Sequence, residues 1–125
     1  MSKRRVVVTG VGPVTPIGIG KEAFWSNLVA GKSGIGPITQ FDTTDFNVKI
    51  AGEVKDFDPT TVVDKKEVKR TDLFSIYAMA AADEAVKMSG IDLDAIDKNK
   101  FGVVIGSGIG GLCTIEEQAT KLATK

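Results

Sequence analysis

The sequence contains no histidine. That absence removes the commonest general acid–base side chain, the Ser-His and Cys-His nucleophile pairs, and most zinc sites. A single cysteine, Cys113, excludes disulfide frameworks and cysteine metal clusters and fits a reducing compartment. Charge of one sign is also lacking: 16 basic residues balance 16 acidic ones. No global field therefore draws the chain to nucleic acid or to an anionic membrane. No apolar run approaches the roughly 18 residues that a membrane span needs. The valines after Arg5 are too few for a signal peptide. These absences lead us to expect a cytoplasmic protein with no metal site, no nucleic-acid partner and no membrane partner.

What is present is globular in character. Hydrophobic residues make up 42% of 125 positions, enough for one domain or a piece of one. Val6-Val7-Val8-Thr9 before Gly10, and Phe101 to Ile105 before Gly106, are short apolar runs that predict strands buried on both faces of a parallel sheet. Val48 to Val54 alternates weakly and predicts a short edge strand, whereas Ser33 to Pro37 reads as loop. Helices are expected over Lys21–Ala30, ended by Gly31, and over Asp72–Met88, with Thr71 as N-cap and Gly90 as stop. A last helix is expected from Leu112 to Leu122. In the long central helix Leu73, Ile76, Tyr77, Ala80, Ala81, Ala85 and Met88 fall on one side. Its alanines admit a close neighbour, and we expect burial on most sides. Strand, glycine turn and helix at both ends make the fold class α/β. Two strands and a weak third fall short of the about five that a doubly wound sheet has. The chain thus reads as the N-terminal part of a larger α/β protein.

Four groups of residues invite a functional reading. Gly106-Ser107-Gly108-Ile109-Gly110-Gly111 fits the G-x-G-x-x-G pattern between a strand and a helix, which makes a dinucleotide-binding module one alternative. The acidic residue that such a site needs about 20 positions later lies past Lys125, which favours a plain turn beside a buried channel. Lys65, Lys66, Lys69 and Arg70 form a basic cluster, and in a helix Lys66, Lys69 and Arg70 share one face. Such cations oppose the macrodipole at a helix N-terminus, which hints at a use beyond stability, either an acidic partner or a phosphate. Cys113, between Leu112 and Thr114, lacks a base and reads as a packing residue. The acidic pairs Asp83-Glu84 and Glu116-Glu117 point to different sides of a helix and make no acid–base dyad.

In combination, R-R-V-V-V-T-G-V-G, F-W-S-N-L-V-A-G-K-S-G-I, F-D-T-T-D-F, I-A-G-E-V-K-D-F-D and V-V-I-G-S-G-I-G-G-L carry a resemblance. Over nearly all of its length the chain resembles the N-terminal part of bacterial β-ketoacyl-acyl-carrier-protein synthases II. The resemblance implies a thiolase-like fold in two similar halves, a homodimer, and fatty acyl elongation by decarboxylating Claisen condensation with malonyl-carrier protein. It implies no cofactor. Family members use one cysteine, in a T-A-C-T-like segment, and two histidines. Neither is present here, so no catalytic residue is expected in residues 1–125, and Cys113 in G-L-C-T is not the nucleophile. Ile109 matches the family residue that gates the acyl pocket near the dimer interface. Lys66, Lys69 and Arg70 match the patch that holds the acidic, phosphopantetheine-bearing acyl carrier protein. A non-catalytic interaction domain made from a synthase half is a further alternative.

These 125 residues by themselves are expected to have no condensing activity, because the chemistry needs a nucleophilic thiolate and histidines that stabilise the charge left by decarboxylation. Turnover of acyl- and malonyl-carrier protein above background, lost in Cys113→Ala, would contradict this.

Overall fold

The β-branched run after Arg5 does not form the strand that it predicts. In the computed structural model, which describes residues 3–124, Val6, Val7 and Val8 enter no ladder, and Val6 is 86% exposed. Val103 to Ile105 likewise lie outside any sheet, with Val104 99% exposed. A parallel strand satisfies its N–H and C=O groups only against neighbours. The sheets among the described residues are both two-stranded and antiparallel, and offer no such neighbour.

The chain divides into two units, and the first comprises Met1–Phe57 and Ala81–Ser89. It opens with strands β1 (Val14–Thr15) and β2 (Gly18–Ile19), a tight hairpin in which Thr15 pairs with Gly18. The Thr15 hydroxyl closes the turn by donating to the Gly18 carbonyl at 2.9 Å. Helix α1 (Lys21–Val29) follows, with Gly20 at its N-cap. Glycine has no side chain to satisfy the orphan N–H groups of the first turn. A carboxylate distant in sequence does so instead: the Lys21 N–H donates to Glu84 Oε1 at 2.7 Å. Gly31, at φ 67°, ends α1 as expected.

The stretch read as loop around Ile35 is a strand. β3 (Ile35–Pro37) pairs antiparallel with β4 (Ile50–Gly52), the core of the predicted edge strand, in the register Ile35 to Gly52. A hairpin containing two glycines and a proline has little hydrophobic alternation to betray it. Side chains hold the loop's root: Glu53 accepts from both the N–H and the hydroxyl of Thr39, at 2.9 and 2.8 Å. Those bonds pull the Glu53 carboxyl below its ordinary value of 4.5. Within the loop, Phe41 and Phe46 meet edge to face with ring centroids 5.4 Å apart.

The central helix, α3 (Leu73–Ser89), contributes Ala81–Ser89 to this first unit. The small-residue prediction holds here. A Cβ on Gly10 would collide with the Ala85 carbonyl, and one on Gly12 with that of Ala81. The backbone of residues 10–12 thus lies directly on the helix backbone. Burial on most sides is not found. Among the described residues Ile76 alone is buried, at 1% exposure, while Leu73, Met79 and Met88 are exposed.

The second unit comprises Asp58–Ala80 and Gly90–Lys125. Asp58 caps a short 3-10 turn (Pro59–Thr61) by accepting from the N–H and hydroxyl of Thr60. Those bonds, with a smaller pull from Lys65, hold its carboxyl below the ordinary 3.8. Helix α2 (Lys65–Val68) and the first half of α3 follow, then a second 3-10 turn (Lys98–Lys100) and helix α4 (Leu112–Ala123). Asp72, not Thr71, stands at the head of α3: its carbonyl accepts from Ser75 and Ile76 N–H groups at 3.0 and 3.3 Å. Leu93 is exposed, whereas Ile96 is half-buried. No described helix is long and apolar enough to cross a membrane.

Gly12→Ala is expected to destabilise the protein by about 1–3 kcal/mol, because its methyl meets backbone that cannot swing aside. Gly36→Ala meets only the Lys55 ammonium, at 3.8 Å, and should change stability by no more than about 0.5 kcal/mol. Denaturant midpoints of the two variants test the contrast.

Candidate functional site

The basic cluster and the glycine segment both fall in the second unit. Lys66 lies in α2, Lys69 at its C-cap and Arg70 just beyond, all exposed. The single helical face expected for them is not formed, since the helix stops at Val68 and the chain turns there, with Arg70 N–H donating to the Glu67 carbonyl at 2.9 Å. Nor do these cations crowd the start of a longer helix. Helix α2 is a single turn that begins at Lys65, so the macrodipole gives no argument for or against cations there. The Arg70 guanidinium is 4.0 Å from Glu67, a loose exposed pair of little energetic weight.

Lys69 and Arg70 line a polar cleft of about 430 Å³, whose opposite wall is α4, with Thr114, Glu117, Gln118 and Lys121. Lys66 is not among its lining residues. Lys121 sits 3.8 Å from Glu117, one turn away on the same helix. The cleft therefore carries three cations and the two carboxylates of Asp72 and Glu117. The first unit has a cavity of a different kind, about 500 Å³ and walled by Val11, Pro13, Phe24, Trp25 and Met88 with Lys21 and Glu22.

The glycine segment 106–111 runs into α4, with Gly111 as N-cap. Gly110 has φ 75°, a conformation that only glycine adopts without strain, and the Phe74 ring lies 3.5 Å from where a Cβ would be. The Gly110 N–H donates to Ser107 Oγ at 3.0 Å, closing a small turn around Ile109. Ile109 itself is 71% exposed. Asp72 closes the far end. Its carboxylate accepts the Thr114 hydroxyl and lies so near Gly111 that a Cβ there would strike it. A carboxylate at a helix N-terminus is favourable by about 0.3–1 kcal/mol.

That carboxylate corrects the dinucleotide alternative. A pyrophosphate would have to occupy the α4 N-terminus, which already holds negative charge from within the chain. Cys113, read as a packing residue, is exposed in the first turn of α4. Among the described residues no group of three or more Cys, Asp and Glu is placed to hold a metal ion.

Asp72, Phe74, Thr114 and Lys121 were not singled out from the sequence. Asp72 carries the ordinary mark of a helix start, but its partner Thr114 is 42 residues away, and no local pattern links them.

The β-ketoacyl synthase N-terminal domain model matches residues 3–125. The chain belongs to this family. It is 45% identical over 125 residues to 3-oxoacyl-[acyl-carrier-protein] synthase 2 of Synechocystis, covering 100% of this chain and 30% of that protein. It is 47% identical to the protein of the same name from Coxiella burnetii, covering 99% of the chain and 30% of the relative. Among solved structures, the ishigamide ketosynthase/chain length factor superposes with a TM-score of 0.81 at 34% identity, over 98% of this chain and 31% of that one. A ketosynthase in a type II polyketide complex with its acyl-carrier protein, AntDE:AntF, gives 0.71 at 26% identity, over 95% and 32%. The fold class stands as the N-terminal portion of a thiolase-like α/β fold. This β-ketoacyl synthase domain spans 30% of the length of the curated relatives it matches.

Proposed function

We propose that residues 1–125 are the N-terminal segment of a cytoplasmic, homodimeric β-ketoacyl-acyl-carrier-protein synthase that elongates fatty acyl chains. In that enzyme an acyl group passes from carrier-protein thioester to an active-site thiolate. Malonyl-carrier protein then loses CO₂, and the resulting carbanion attacks the acyl thioester and expels the thiolate. The sequence balances without redox chemistry and needs no cofactor. The thiolate and histidines that it requires come from the part of the enzyme beyond these residues. This segment supplies the pocket gate, dimer surface and carrier dock. Val6–Thr9 and Phe101–Ile105 become strands where the rest of the sheet covers them.

One observation carries the gating role. Ile109 is exposed at the head of a glycine-rich turn that the Gly110 N–H closes onto Ser107 Oγ and that Phe74 and Asp72 flank at Gly110 and Gly111. A side chain so placed can swing without dragging a packed neighbour. Lys66, Lys69 and Arg70 suit an acidic carrier for a separate reason: all three are exposed, and exposed cations steer an acidic partner to its encounter.

In the full-length enzyme Lys66→Glu with Lys69→Glu should raise the apparent KM for acyl-carrier protein at low salt while sparing turnover of small acyl thioesters. Rim charges act mainly on association and its salt dependence. An unchanged KM would remove the patch from the reading.

In the proposed gate of the full-length enzyme Ile109→Phe would add bulk to the acyl channel, where overpacking costs about 1–3 kcal/mol. That corresponds to a loss of roughly five- to 150-fold in kcat/KM for long acyl chains. Short chains, which do not reach the gate, should be far less affected. Equal losses at both lengths would mean that Ile109 supports the fold instead.

A further inference from the structure

The gate turn and the basic segment are fastened to the same few residues. Arg70 and Asp72 are two positions apart, a stretch of at most about 7 Å, so displacement of one is felt by the other. Asp72 holds the start of α4 through the Thr114 hydroxyl and lies against Gly111. Phe74, one helical step on, packs its ring against Gly110, the neighbour of Ile109. Lys69, Arg70, Asp72 and Thr114 also line one polar cleft, so charge that settles on the two cations lies close to the Asp72 carboxylate.

We infer that Asp72 is a positioning residue: its grip on Thr114 and Gly111 holds the Ile109 turn in place and ties it to the segment on which the carrier protein docks. The inference rests on the proposed gate at Ile109 and deepens it. Docking at Lys69 and Arg70 pulls on Thr71 and Asp72. Release of Thr114 then frees Gly110 and Gly111, two residues whose backbones resist little, and Ile109 moves with them. Asp72 touches no reacting atom and acts only through the turn.

The test is made in the full-length enzyme with Thr114→Val, which removes the donated hydroxyl at nearly constant volume, and with Thr114→Ser, which restores it. Two quantities are read: amide hydrogen exchange over residues 108–113, and the ratio of kcat/KM for long and short acyl-carrier proteins. Loss of one hydrogen bond should raise exchange in the turn and shift the ratio by about two- to tenfold. Thr114→Ser should return both to wild type. Unchanged exchange in Thr114→Val overturns the latch. Raised exchange with an unchanged ratio overturns the positioning role, because a merely structural bond loosens the turn without touching chain-length selectivity. Ile109→Phe, run alongside, separates the two levels. If it discriminates chain length while Thr114→Val does not, the latch alone fails. If it lowers both lengths equally, the gate reading falls and this inference with it.

Discussion

Close approach of backbone to helix α3 is the constraint on which the rest depends. Gly10 and Gly12 rest against the carbonyls of Ala85 and Ala81, a separation that any Cβ would forbid. The same stretch of helix supplies Glu84, whose carboxylate satisfies the N-terminus of α1 in place of a local cap. At its other end the helix presents Asp72 and Phe74 to the glycine turn. Within the first unit, Ala81–Ser89 of this helix thus supplies the contacts to residues 10–12 and to the start of α1. An apolar core of the usual kind is nearly absent, with Ile76 alone fully buried among the described residues.

Glycine has two distinct jobs in this arrangement. At residues 10 and 12 it removes side-chain bulk so that backbones can touch. At Gly110 it permits a left-handed conformation against an aromatic ring. A G-x-G-x-x-G pattern is compatible with either job as well as with a phosphate cradle, which is why the motif alone misleads. What occupies the helix N-terminus decides among them, and here it is the carboxylate of Asp72.

The chain spans 30% of the length of the curated relatives it matches. Val6–Thr9 and Phe101–Ile105 are patterned for burial on both faces, yet nothing among the described residues covers them.

The amino-acid sequence by itself determined the three longer helices and their glycine stops at Gly31 and Gly90, because periodicity and caps are local properties. It determined the family, through blocks of residues spread along the whole chain. It also pointed to alanine on α3 as a surface for close packing. Only the tertiary structure decided that β4 pairs with β3, that the basic run leaves its helix at Val68, and that Asp72 closes on Thr114 across 42 residues. The strand pairing and the Asp72 contact each join segments distant in sequence. A sequence records which groups need a partner, but chain folding selects which partner comes within hydrogen-bonding distance.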